Sequence, residues 1–278
     1  MINIFELACL SNHIYYPYAH TTPAFFIYPL LRNKKKVSLP NQRWCCLHQL
    51  DPDMKPKNYS YSQLYIKFYG AKATNAVIAV RGSFWLSDFV KDYKCWRHDI
   101  DNKTLHNIIP EPYYAQTAAY TIIVHDYLKR YYPHLLNNLI FTGHSLGGAI
   151  AQLILLRSGF TYSTVAFNAP GVGHMPDINL KLKNTITNVN ARYGLINKVG
   201  LTLGQCYQID ISEQEAQAKE LFKRFSGHHT PSKKTHSFWQ NLKISEEIYS
   251  VMAAQHSILN MIHALQKPKN ATIAHTIL

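Results

Sequence analysis

The sequence predicts an α/β fold with a mainly parallel central sheet and helices on both faces, and three observations predict it. Short apolar runs alternate with longer helical patterns, several of those runs are apolar throughout as strands covered on both sides are, and no Gly/Ser-rich linker divides the chain. The 278 residues, 47% hydrophobic and 16% charged, are too apolar for a disordered chain and enough to bury a core. The expectation is a single domain over residues 1–278, with residues 1–55 a divergent N-terminal extension and residues 60–265 the core.

Leu64, Ile66 and Phe68 alternate with Tyr65, Lys67 and Tyr69, the period of a half-buried strand. Ala76 to Val80 is uniformly apolar and is ended by Arg81-Gly82, which suits a strand covered on both faces. Beyond Pro110 and Pro112, the residues Ala115, Ala118, Ala119, Ile122 and Ile123 form one helical stripe, and Pro133 stops that helix after about Tyr132. Leu139 to Thr142 reads as a short strand. Leu146 to Arg157 reads as a helix apolar nearly all round, with Gly159 as its C-terminal signal. Val165 to Asn168, Thr185 to Val189 and Tyr207 to Ile211 read as further strands. Ser212 to Glu215 fits a capping box for a helix through about Arg224, closed by Gly227 and Pro231, and a final helix is expected over Ile244 to Leu265.

Twenty-nine Lys and Arg against 16 Asp and Glu leave a formal charge of +13, so the surface field favours an anionic partner such as a phosphate or an acidic lipid. Nucleic acid is not expected, because no helix-turn-helix, zinc or aromatic-basic motif accompanies the charge. The five cysteines (Cys9, Cys45, Cys46, Cys95, Cys206) show no CxxC spacing and read as free thiols in a reducing compartment. The N-terminus lacks a basic n-region and carries Glu6, and the most apolar run, Leu146 to Leu156, is well short of the ~20 residues of a membrane span. These features predict a cytoplasmic protein, or one exported without a classical signal peptide, that meets an anionic membrane only peripherally. His228, His229 and His236 lack neighbouring carboxylates and ligand spacing, so neither a metal nor another cofactor is expected.

Between the strand Leu139 to Thr142 and the apolar helix lies Gly143-His144-Ser145-Leu146-Gly147. A G-x-S-x-G in strand-to-helix context makes a turn too sharp for side chains, which pushes a serine hydroxyl out at the strand's carboxyl end. The Leu146 N–H, unpaired at the helix start, can then donate to the oxyanion of a tetrahedral intermediate, an interaction worth ~3 kcal/mol. Ser145 is therefore the candidate nucleophile.

The run Gly143 to Ala149 resembles the nucleophile motif of class 3 lipases, the α/β-hydrolase family of the fungal triacylglycerol lipases. Val77 to Ser83, followed by Trp85, Asp88 and Asp92, resembles that family's strand ending in Arg-Gly-Thr/Ser, and Phe167-Asn168-Ala169-Pro170-Gly171 resembles its Gly-Ala-Pro segment. The likeness covers about residues 60–265, which makes them a lipase-like core. It implies an α/β-hydrolase fold, a lipid ester as substrate, and Ser83 as the second oxyanion donor beside Leu146.

A serine alcohol needs a base, which α/β-hydrolases place late in the chain, in the order Ser, acid, His. His256 lies 111 residues after Ser145 and resembles the family's histidine ahead of a C-terminal helix, with His263, two turns further, as second choice. The acid departs from the family pattern. Aligning Asn197-Lys198-Val199 with the family's Asp-x-Val puts Asn197 in the acid's place, and Asp210 is the alternative carboxylate if its strand ends at the site. A neutral residue in the acid position of a serine triad can cost about 10⁴ in rate. The stretch Tyr93 to Glu111 reads equally as a lid over an acyl groove and as a loop packed on the core. The expected activity is a serine carboxylic-ester hydrolase acting on lipid, of triacylglycerol lipase or phospholipase A type. A catalytically weak or inactive module of the same fold, binding lipid or a protein, is the alternative.

Overall fold

The computed structural model describes residues 2–15, 44–47, 61–82, 109, 111–160, 162–194, 196–212, 214–226 and 246–276. Among these residues seven strands form one sheet in sequence order: β1 (Trp44–Cys46), β2 (Ser62–Tyr69), β3 (Lys72–Val80), β4 (Leu139–His144), β5 (Ser163–Phe167), β6 (Ile186–Ala191) and β7 (Gln205–Ile209). β1, β2 and β3 pair antiparallel, and β3 through β7 are parallel throughout. Among the described residues the α-helices are α1 (Ile4–His13), α2 (Glu111–Tyr131), α3 (Leu146–Ser158), α4 (Glu215–Ser226), α5 (Glu246–His256), α6 (Ile258–Leu265) and the short α7 (Ala271–Ala274).

Two cores follow from the alternation of side chains along each strand. Ile78 and Val80 of β3 and Phe141 of β4 pack with Val124 and Leu128 of α2 and with the apolar face of α3. Val77, Ala79 and Ile140, one residue out of phase, pack on the opposite side with Leu7 and Leu10 of α1 and with Met261, Ile262 and Leu265 of α6. Coverage of both faces explains why Ala76 to Val80, Leu139 to Phe141 and Val165 to Phe167 read as apolar runs, whereas β6 buries the polar Thr187, Asn188 and Asn190 as well. It also changes the expectation for β2: Tyr65 is fully buried as well as Leu64 and Ile66, because α1 covers the face that the alternation left to solvent.

The N-terminal segment is thus part of the second core. Asn3 caps α1 in a reciprocal box, its side chain accepting from the Glu6 N–H at 2.9 Å while the Glu6 carboxylate accepts from the Asn3 N–H at 3.3 Å. Glu6 also meets Lys67 of β2 at 2.6 Å, which satisfies a carboxylate at the sheet surface.

Two helix expectations are corrected. The capping box at Ser212 is not formed, since α4 starts at Glu215 itself, preceded by Gln214 with φ 54°. The single final helix is two helices, because Ser257 leaves helical geometry (φ −60°, ψ 124°) and its hydroxyl accepts from the Asn260 N–H to start α6. The Ser-x-x-Asn signal was present but lay inside a continuous apolar periodicity. That break makes His256 the last residue of α5. Elsewhere the expected limits fall within two residues of the observed ones, except that β3 begins at Lys72, four residues before the expected Ala76, and α2 begins at Glu111 and takes in Pro112.

Candidate active site

Ser145 sits between β4 and α3 with φ 59° and ψ −132°, a backbone conformation rare for a side-chain-bearing residue. Two glycines make the conformation attainable. A Cβ on Gly143 would lie 2.5 Å from the Gly147 carbonyl carbon, and a Cβ on Gly147 would lie 2.2 Å from the Val80 carbonyl oxygen. The turn is also tied to the next strand, the Ser145 N–H donating to the Phe167 carbonyl at 2.9 Å. The hydroxyl therefore emerges at the carboxyl end of the parallel strands, beside the N-terminus of α3, where the Leu146 N–H has no partner within the helix.

His256 arrives at the same point from the end of α5, and its Nε2 lies 2.7 Å from Ser145 Oγ. With the serine hydroxyl donating, Nε2 is the bare nitrogen and the proton resides on Nδ1. Burial, and then the neighbouring His144 ring, push the His256 pKa well below the usual imidazole value, so the ring is neutral and able to accept a proton. Its main-chain carbonyl accepts from His144 Nε2 at 2.6 Å and from Asn168 Nδ2 at 3.4 Å.

His144 is the residue between the first glycine and the nucleophile, and its two ring nitrogens have assigned roles. A carbonyl can only accept, so Nε2 carries the proton and Nδ1 is bare. The Tyr15 hydroxyl, 3.1 Å from Nδ1, donates to it and in turn accepts from the Gly82 N–H at 3.1 Å. Burial lowers the His144 pKa to about 4, opposed by the bond to the His256 carbonyl, and raises that of Tyr15. One neutral relay thus runs from the loop after β3, through α1's end, to the backbone of the imidazole.

Of the residues expected from the sequence, Ser145, Leu146 and His256 come together. Ser83 and the Tyr93 to Glu111 stretch, apart from Ile109 and Glu111, lie outside the described residues, as do Cys95 and the histidines at 228, 229 and 236; Gly82 is the last residue described before them. His263 is on α6 and is not bonded to Ser145. Asn197 is buried, and its Nδ2 donates to Ala191 O at 3.0 Å and to Asn168 Oδ1 at 3.2 Å. Asp210 pairs with Arg192 at 2.5 Å and Lys269 at 3.7 Å, and the Arg192 bond holds its carboxyl below the usual range. Among the described residues, no carboxylate is bonded to or paired with His256. Nor do the described residues contain a cluster able to hold a metal ion, or a helix long and apolar enough to cross a membrane. Sequence reasoning missed Tyr15, His144 and Asn168. His144 lay inside the motif and Asn168 inside the segment that resembles Gly-Ala-Pro, without a role for either side chain, whereas nothing near Tyr15 in the chain pointed to the site.

A mostly parallel sheet that presents a serine at a strand-to-helix elbow, with a late histidine facing it, has the α/β-hydrolase fold. Residues 77–194 match the family model for class 3 lipases, which makes this segment class 3 lipase-like. No curated protein matches the chain. Similar solved structures include the Lip2 lipase of Yarrowia lipolytica (18% identity, 54% of this chain and 62% of that one, TM-score 0.37). Others are the Rhizomucor miehei lipase propeptide complex (16%, 76% and 68%, TM-score 0.38) and a mutant form of MDLA from Penicillium cyclopium (14%, 53% and 58%, TM-score 0.33). The match thus spans less than two thirds of the Yarrowia enzyme's length.

Proposed function

We propose that this protein, as a single domain, hydrolyses carboxylic esters of lipids. The observation that carries the reading is the 2.7 Å approach of His256 Nε2 to Ser145 Oγ on a strained elbow. His256 takes the hydroxyl proton as Ser145 Oγ attacks the ester carbonyl, and the Leu146 N–H, with that of Ser83, receives the oxyanion. The imidazolium then returns its proton to the departing alcohol, and water repeats the sequence on the acyl-serine. A neutral His144 beside the ring supports this cycle, because a second cation there would oppose formation of the imidazolium.

The class 3 lipase match over residues 77–194 supports lipid as the acyl donor. The +13 charge favours a phospholipid in an anionic surface over a neutral glyceride, since each Lys or Arg near such a surface adds ~1 kcal/mol. Labelling by a fluorophosphonate that disappears in Ser145→Ala is the expected result. A wild-type protein that resists the label would instead favour a binding module of the same fold, the reading to which the neutral Asn197 points. Hydrolysis and vesicle association should be stronger on anionic than on neutral vesicles and should weaken with salt; equal behaviour on both would remove the phospholipid assignment.

A further inference from the structure

Asn197, aligned with the aspartate of the resembled family, touches Asn168 of the segment that resembles Gly-Ala-Pro. In the fold, Asn197 Nδ2 donates to Asn168 Oδ1 at 3.2 Å. We propose that Asn168 is a positioning residue for the base: its side chain, oriented by Asn197, grips the main chain that carries His256 and takes over the orienting task of a carboxylate on the imidazole. The inference rests on the reading of His256 as the base.

Each end of the Asn168 amide is assigned by partners with only one option. The Ala191 N–H can only donate and lies 2.7 Å from Oδ1, so this end is the oxygen. The carbonyls of Gln255 at 3.0 Å and His256 at 3.4 Å can only accept, so the other end is the NH₂. Asn197 is assigned in the same way by its donation to the Ala191 carbonyl at 3.0 Å. Asn168 is fully buried, and its φ of 46° is one that asparagine tolerates better than most residues.

The carbonyls it receives are those of the last turn of α5, where a helix leaves its oxygens without internal partners. Because α5 stops at His256, these oxygens need donors from elsewhere. Asn168 supplies one, His144 supplies a second, and Asn260 Nδ2 reaches the Ala254 carbonyl at 2.9 Å. The end of α5 is therefore held by three side chains, one from β5's end, one from the elbow and one from α6. A carboxylate orients an imidazole through Nδ1; here the orientation is imposed through the backbone of the same residue.

The test uses Asn168→Gly, which keeps the positive φ and deletes only the amide, and Asn197→Asp. In Asn168→Gly, kcat for a soluble p-nitrophenyl ester should fall at least tenfold with KM changed less than twofold. The titration of His256, followed by NMR on ¹³Cε1-histidine protein, should move up toward the ordinary imidazole range as the released ring regains water. Within the described residues the titratable group facing His256 is His144, whose own signals are read in the same spectra. Asn197→Asp should lower kcat, because a carboxylate there would face the Ala191 carbonyl and Asn168 Oδ1. A merely structural role would lower the melting temperature and leave kcat and titration of the folded protein in place. That result in Asn168→Gly, or a higher kcat in Asn197→Asp, overturns the proposal. Should His256→Ala label with fluorophosphonate as fast as wild type, the base assignment itself fails, whereas loss of label there with an unaffected Asn168→Gly defeats the positioning role alone. The NMR titration gives its answer without turnover.

Discussion

His144 Nε2 donates a hydrogen bond to the main-chain carbonyl of His256 across 2.6 Å, so the residue before the nucleophile holds the backbone of the imidazole that faces it. The bond spans 112 residues of chain and joins the two elements that have to meet for a serine to be activated. It also sets the His144 tautomer, because the other nitrogen accepts from Tyr15. Protonating Nδ1 of His144 would turn it into a donor, so the Tyr15 hydroxyl would have to give up its donation and accept from both Nδ1 and the Gly82 N–H.

Tyr15→Phe removes the hydroxyl that joins the Gly82 N–H to His144 and leaves both without that partner. Loss of a buried hydrogen-bond partner costs about 1–3 kcal/mol, and about 1.4 kcal/mol is a factor of ten in rate. Steady-state ester hydrolysis should show a kcat lower by roughly tenfold or more with little change in KM. An unchanged kcat would remove Tyr15 from the site.

Stability should fall with acid from one buried imidazole, His144, and one half-buried, His256. His144 has a folded pKa of about 4, depressed from the ~6.5 of an unfolded imidazole. The unfolded chain therefore binds this proton first. The contribution is complete above about pH 6.5 and is lost as pH falls toward 4, by roughly 3 kcal/mol in all. His256 is shifted in the same direction and adds to the loss. Denaturant melts at pH 7 and pH 4.5 measure it, and His144→Gln should flatten the slope.

Gly147→Ala places a methyl 2.2 Å from the Val80 carbonyl oxygen and within 3 Å of the Arg81 and Gly82 backbone, where no flexible side chain can yield. Overpacking of this kind costs about 3 kcal/mol or more. A melting temperature lower by roughly 5–10 °C is expected, together with loss of fluorophosphonate labelling, because the elbow and the oxyanion donor share that turn.

Asp210→Asn should leave ester hydrolysis within about twofold of wild type. The carboxylate is engaged by Arg192, itself half exposed, and by Lys269, and surface pairs of this kind are worth about 0–1 kcal/mol. A large fall in kcat with an unchanged melting temperature would restore Asp210 as the orienting acid.

The strands β3, β4 and β5 were legible because both of their faces are covered, which writes a short apolar run into consecutive residues, Ala76 to Val80, Leu139 to Phe141 and Val165 to Phe167. The broken C-terminal helix was not legible, since α5 and α6 share one apolar periodicity and the interruption is a single cap at Ser257. α1 was missed for a related reason. Its role depends on lying across β3, β4 and α6, none of which is near it in the chain.

Within the site, the elbow was readable from local residues: two glycines, a strand before and a helix after are contiguous, so local sterics alone force the Ser145 hydroxyl outward. His256 could be put forward among fifteen histidines by resemblance, but its approach to that hydroxyl, and what holds it there, came from the fold. His256, His144, Tyr15, Asn168 and Asn197 are brought together by the packing of α1 and α5 against the sheet, and a hydrogen bond between residues so far apart depends on the whole path of the chain.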